Sequence, residues 1–285
     1  MVLFYIVFFL VIFKYVSLFF VCMGVFPDLG DKSKLPSITN PEQLLKYQIA
    51  SGKYEKVDPF PEDVILIHSN RLLGCVLENF SVRKVRGFYD NFYLLKNKGG
   101  NKTIGISKSG GAPADVMVME ELIASGVKRF VSVGEAGALQ SYLNVGDFVV
   151  CERAVNGNGV SRYYSNHDFS FASGSLSSRI KDFLRKSDID FSVGVSWSTD
   201  AFYRELVEEV KHYKDLGVLT VDMESSAIFS VAEFRGVDAA VILTVSDYLL
   251  KHEAGESWVP NFKYTSDFLA KLFVIAKDVL FSKGS

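Results

Sequence analysis

Two carboxyl groups and a hydroxyl stand where chemistry is expected in this chain. Glu224 opens a helical segment, and the pair Ser246–Asp247 follows an apolar run, Val237 to Val245. Groups of this kind can accept hydrogen bonds from a ligand or pass a proton to it. The elements that must position them lie in one stretch, Val218 to Tyr248, which reads as strand end, helix, strand and loop. Ile228, Val231 and Ala232 recur at helical spacing, and Gly236 stops the helix. The almost continuous apolar run is the pattern of a strand buried on both faces. In an open α/β sheet, ligands bind beyond the carboxyl ends of such strands, which places Ser246 and Asp247 at a crevice that Glu224 can share. Taken singly, Glu224 reads as a carboxylate favoured by a helix dipole, and Asp247 as a turn residue.

Their joint occurrence carries a further implication. The segment Val221-Asp222-Met223-Glu224-Ser225 resembles the V-E-M-E signature of the nucleoside phosphorylase and uridine phosphorylase family, and Thr244-Val245-Ser246-Asp247 resembles the S-D pair of its purine-cleaving branch. The similarity extends over roughly Val64 to Leu280. It implies an α/β fold: a single domain with a central mixed twisted β-sheet flanked by helices. It also implies roles. Glu224 and Met223 would hold the ribose. Asp247, oriented by Ser246, would act as general acid toward purine N7. Phe202, in the segment Ser198-Thr199-Asp200-Ala201-Phe202-Tyr203, would pack on the nucleobase, with Asp222 grouped beside it.

The phosphate-binding residues implied by the same resemblance are divergent. Arg71 matches the arginine of a G-D-P-x-R loop, whereas Ile67 stands in place of its glycine. Arg86 resembles a second phosphate arginine that reaches into the neighbouring subunit's site, so a dimer would be the minimum functional unit. Gly110, Gly111, Pro113, Glu121 and Leu122 fit a glycine turn leading into a helix, and Ser109 and Ala114 depart from it. Gly134 and Gly137 are kept in a segment read as a strand ending in a glycine turn, Arg129 to Leu139. There Ser132 replaces an arginine and Glu135 a hydroxyl residue. Two like unit charges about 4 Å apart at an effective dielectric near 20 repel by roughly 4 kcal/mol. The expectation is therefore weak phosphate affinity, with Glu135 ion-paired to Arg71 or to Arg86 of a neighbouring subunit. A lid is expected over the base at Leu249 to Pro260. The arginine usual there is missing, and Lys251 and His252 are the substitutes at hand.

Bulk properties narrow the class. The 285 residues, 48% hydrophobic and 22% charged, suit a globular protein with a large core, and a net charge of -2 leaves no footprint for nucleic acid. Cys22, Cys75 and Cys151 are odd in number and far apart, which argues against a disulfide framework, and four scattered histidines give no metal-ligand spacing. Residues 1–26 form an apolar, Phe-rich stretch long enough to span a bilayer. It reads either as a membrane anchor or as a start codon assigned too early, with Met23 as the true start favoured. Residues 27–62 read as an N-terminal extension with a helix at Pro41 to Ala50, and residues 63–285 as the catalytic domain.

The reading that results is a cytoplasmic pentosyltransferase. It would split the N-glycosidic bond of purine nucleosides, with uridine a second candidate, using inorganic phosphate as co-substrate and no metal or organic cofactor. A homo-oligomer with shared active sites, dimer or trimer of dimers, would carry the activity. A nucleosidase using water and a non-catalytic nucleoside-binding protein are the alternatives, favoured by Ile67, Ser132 and Glu135.

Overall fold

The computed structural model describes residues 27–249, 258 and 262–282. The apolar stretch 1–26, Lys251 and His252 lie outside the described residues. The chain enters through α1 (Pro41–Ala50), whose Asn40 cap accepts from the backbone N–H groups of Glu42 and Gln43. Strand β1 (Asp63–Ile67) is buried throughout, and Ser69 caps the helix that follows, α2 (Asn70–Asn79). A hairpin of β2 (Val82–Val85) and β3 (Phe92–Lys96) continues into β4 (Thr103–Lys108) and α3 (Ala112–Ala124). Then come β5 (Arg129–Ala138), β6 (Phe148–Gly157), the short β7 (Phe169–Phe171), α4 (Gly174–Lys186), β8 (Ser192–Thr199) and α5 (Val207–Asp215). The final elements are β9 (Thr220–Asp222), α6 (Ser225–Arg235), β10 (Asp238–Tyr248) and α7 (Ser266–Phe281).

These strands form one mixed sheet in the order β10-β6-β8-β9-β5-β1-β4-β3-β2, with β7 beside β6. An extra pairing of β10 with β5 closes β5, β10, β6, β8 and β9 into a ring. The sheet is therefore not open throughout, as its sequence pattern suggested: one end closes on itself and the β1-β4-β3-β2 end stays open. Period-2 alternation sorts the core. Val64, Leu66, Phe130, Val241 and Leu243 pack with α3 and α6, whereas Ile65, Ile67, Val131, Val133 and Ile242 pack with α2, α4 and α7. Both faces are covered, which is why these strands read as continuous apolar runs.

Three local expectations change. The glycine turn expected within Arg129–Leu139 is not a turn, because β5 runs extended through Gly134 and reaches Ala138, paired in parallel with β10 along its length. The stretch 156–175 contains β7 as well as loop, because Phe169–Phe171 adds to the edge of β6. Strand β10 does not stop at Val245. It continues to Tyr248 across a register shift between Val245 and Asp247, a bulge that re-aims the residues it carries.

Helix α6 deserves its central place because it is buried on all sides from Ser225 to Ala232. Gly236 ends it at φ 67, in the left-handed region where a side chain is strained. Phe229 is fully buried between this helix and the sheet core. Phe229→Ala should lower the free energy of unfolding by about 3–5 kcal/mol, read from the urea midpoint at unchanged m-value.

Candidate functional site

A cavity of about 390 Å³ opens at the carboxyl ends of β1, β5 and β10, within the size range of small-molecule sites. Each wall comes from a different element. His68 and Ser69 follow β1, Gly134 to Gly137 belong to the second half of β5, and Asp222 to Glu224 join β9 to α6. Ser246 and Asp247 end β10, and Phe202 and Glu205 follow β8.

Asp222 organises the approach to Glu224. Its Oδ1 accepts from the backbone N–H groups of Glu224 (2.8 Å) and Ser225 (2.9 Å) and from Ser198 Oγ (2.8 Å), while Oδ2 accepts from Ser196 Oγ. The side chain borders the cavity, yet its oxygens are committed to capping α6 and joining β8 to it. Glu224 occupies the helix cap position, and its Oε1 accepts from the Gly111 N–H at 2.8 Å. Burial pushes the Glu224 carboxyl up to about 7, against the pull of the nearby His68 imidazole.

Asp247 is held from two sides. Ser246 Oγ donates to Oδ1 (2.6 Å) and Trp258 Nε1 donates to Oδ2 (2.7 Å). Phe202 meets the Trp258 ring edge-on, with centroids 5.8 Å apart. A Cβ added at Gly137 would strike the Leu249 side chain, which would have to shift, and stand 3.5 Å from Asp247 Oδ2. Glu205 faces the same cavity and forms no hydrogen bond or ion pair among the described residues. Burial, reinforced by the Asp247 charge, lifts its carboxyl to about 7.

The structure thus brings Phe202, Asp222, Met223, Glu224, Ser246, Asp247, Gly134 and Glu135 to one cavity. Gly111 joins them through its hydrogen bond to Glu224. The two arginines stand apart from its walls. Arg71 Nη1 donates to the Phe262 carbonyl and to Ser266 Oγ (3.2 Å) at the start of α7. Arg86 lies on the exposed side of the β2–β3 hairpin, where its backbone pairs with Glu55. The ion pair expected for Glu135 is not formed among the described residues: its Oε1 accepts from Thr265 Oγ1 instead. Burial raises the Glu135 carboxyl, with Thr265 and the Arg71 charge opposing and Asp247 adding to the rise.

Sequence reasoning missed His68, Asp115, Glu205 and Trp258. His68 Nε2 lies 2.8 Å from Ser132 Oγ, and its Nδ1 faces Asp115 Oδ2 at 3.4 Å. Burial works against a charged imidazole, but the Asp115, Glu224 and Asp222 carboxylates outweigh it and raise the His68 pKa. Trp258 and Glu205 carried a weak signal, one inside the expected lid and the other three residues after Phe202.

Comparison with known proteins bears on this geometry. The model of the Phosphorylase superfamily matches residues 62–273. The DeoD-type 2 purine nucleoside phosphorylase of Vibrio parahaemolyticus is 34% identical over 199 residues, which cover 68% of this chain and 84% of that protein. The DeoD-type purine nucleoside phosphorylase of Bacillus cytotoxicus is 33% identical over 156 residues, 53% of this chain and 66% of that protein. Among solved structures, uridine phosphorylase from Vibrio fischeri ES114, complexed with 6-hydroxy-1-naphthoic acid, superposes with a TM-score of 0.66 at 27% identity. That superposition covers 78% of this chain and 92% of the other.

The Glu205 carboxyl yields a test of the cavity's electrostatics. Its pKa is about 7 folded against 4.5 for the free group, so the folded state binds more protons between those values. Stability contributed by this group therefore falls as pH rises through that window. Glu205→Gln should raise the urea midpoint at pH 7.5 and leave it nearly unchanged at pH 4.5. An equal shift at both pH values would contradict this.

Proposed function

The chain belongs to the phosphorylase superfamily, and from that premise we propose that it cleaves the N-glycosidic bond of purine nucleosides by phosphorolysis, releasing free base and ribose 1-phosphate. The observation that carries this reading is the convergence of Glu224, Asp247 and Phe202 on one cavity. Its relatives are named as purine nucleoside and uridine phosphorylases, and an aspartate at position 247 favours a purine, since a pyrimidine offers no N7.

Cleavage develops positive charge on the ribose and negative charge on the departing base. Glu224 accepts hydrogen bonds from the ribose 2′- and 3′-hydroxyls through the oxygen that Gly111 leaves open, and Met223 lines the sugar face. Asp247 shares a proton with purine N7, while Ser246 and Trp258 fix its orientation. Phe202 packs on the base. The reaction calls for no organic cofactor, with inorganic phosphate as co-substrate. Phosphate approaches between Arg71 of one subunit and Arg86 of a neighbour in a cytoplasmic homo-oligomer, and Glu135 holds its affinity low.

A nucleoside panel incubated with and without phosphate tests the reading directly. Ribose 1-phosphate as the sugar product supports it, and free ribose formed without phosphate would replace it with hydrolysis. Asp247→Asn should lower turnover of inosine by about two to four orders of magnitude, the usual loss of a general acid. An unchanged rate would remove Asp247 from the reaction. Glu224→Gln should weaken ribonucleosides more than 2′-deoxyribonucleosides, measured as kcat/KM for each pair. Equal losses on both sugars would exclude the ribose clamp.

A further inference from the structure

We infer that His68, Asp115 and Glu224 form a binding site for a divalent first-row metal ion, with zinc the ion its donors suit. The three residues come from separate elements, and one donor atom of each lies within 4.8 Å of the others. Each has its remaining polar atom fixed by a neighbour. His68 Nε2 pairs with Ser132 Oγ at 2.8 Å, Asp115 Oδ1 accepts from Ser109 Oγ, and Glu224 Oε1 accepts from the Gly111 N–H at 2.8 Å. Contacts of this kind orient metal ligands, and they leave His68 Nδ1 and Asp115 Oδ2 facing each other at 3.4 Å, with the Glu224 carboxylate close by.

Two of those free atoms are orphans. His68 Nδ1 and Asp115 Oδ2 are buried without a hydrogen-bond partner, and the Asp115 side chain is fully inaccessible. Unpaired buried polar atoms of this kind are costly. In the tautomer where Ser132 Oγ accepts from Nε2–H, Nδ1 presents a lone pair to a carboxylate oxygen 3.4 Å away, a pair of donors that a cation held between them would bridge. Two donors bound at about 2.1 Å at the tetrahedral angle are separated by about 3.4 Å. The His68–Asp115 spacing already has this value, and the Glu224 carboxylate, within 4.8 Å of both, is the third ligand. One imidazole and two carboxylates suit zinc better than magnesium or calcium, which favour all-oxygen sites. A fourth position would face the cavity.

Because Glu224 is shared, the ion and the ribose would compete for one carboxylate. This second part rests on the ribose reading above, whereas binding itself does not. It describes an inhibitory site rather than a cofactor the reaction needs.

The test is a calorimetric titration of Zn²⁺ into the full-length, tag-free protein, with Co²⁺ as a visible-absorption probe of the coordination. One ion per chain is expected. Asp115→Asn and His68→Gln should each weaken binding by at least tenfold, and Ser109→Ala, which removes only an outer contact, by about tenfold. Circular dichroism confirms that each variant is folded. If Asp115→Asn fails to fold, Ser109→Ala and His68→Gln decide the question. No stoichiometric binding by the folded protein, or undiminished binding in these variants, would overturn the site. Zn²⁺ should also raise KM for inosine at constant kcat. Stoichiometric binding with an unmoved KM would overturn the shared role of Glu224, a result distinguishable from loss of the ribose clamp in the Glu224→Gln comparison.

Discussion

The carboxylate of Asp222 is the contact on which the active end of the molecule depends. It is buried, and a buried charge is tolerated only when hydrogen bonds replace its water. Ser196, Ser198 and the N–H groups of Glu224 and Ser225 supply that replacement. In doing so they join β8 to the start of α6 and set the direction in which Glu224 leaves the helix. Charge-assisted bonds of this type are stronger than neutral ones, so the geometry they impose is stiff. Helix α6 has no solvent-facing side along its first two turns, and any tilt would be resisted by packing as well.

Around this anchor the cavity gathers carboxyl groups. Glu135, Glu205, Asp222, Glu224 and Asp247 all border it, with His68 as the one basic side chain lining it among the described residues. The protein manages the mutual repulsion unevenly. Asp222 and Asp247 are ringed by donors, whereas burial lifts Glu205 and Glu224 to about 7. Near neutral pH the site therefore holds protons, which suits a reaction that needs an acid, while any carboxylate left ionised repels an anionic nucleophile. The tension between those two demands is concentrated at Glu135. Its one recorded hydrogen-bond partner among the described residues is Thr265, not an arginine.

Backbone choices make the crowding possible. Gly137 lets Leu249 and Asp247 approach β5 closely, and the irregularity in β10 after Val245 turns Asp247 toward the cavity while the strand continues. The ring closure of β10 on β5 brings these two devices together, so that residues over a hundred positions apart share one wall.

The sequence alone determined the parts whose signal is local. The Pro41–Ala50 helix was legible in the sequence, β1 at Asp63–Ile67 from its apolar run, and α6 with its Gly236 stop from periodicity. The grouping of Glu224, Asp247, Ser246, Met223 and Phe202 was legible as well, because short motifs keep their order along the chain. Tertiary structure decided the rest. An extended strand tolerates glycine where a turn was expected, because β10 pairs with β5 at both Gly134 and Gly137 and β9 pairs at Gly137 from the other side. Whether Arg71 reaches the cavity depends on where α7 begins, and one arm of its fork, Nη1, donates to Phe262 and Ser266. His68 and Asp115 carried no periodic or motif signal and Glu205 only its nearness to Phe202, because a side chain's burial, partners and proton affinity are set by neighbours distant in sequence. Only folding brings His68 against Asp115 and Glu205 near Asp247, and their chemistry arises from that proximity.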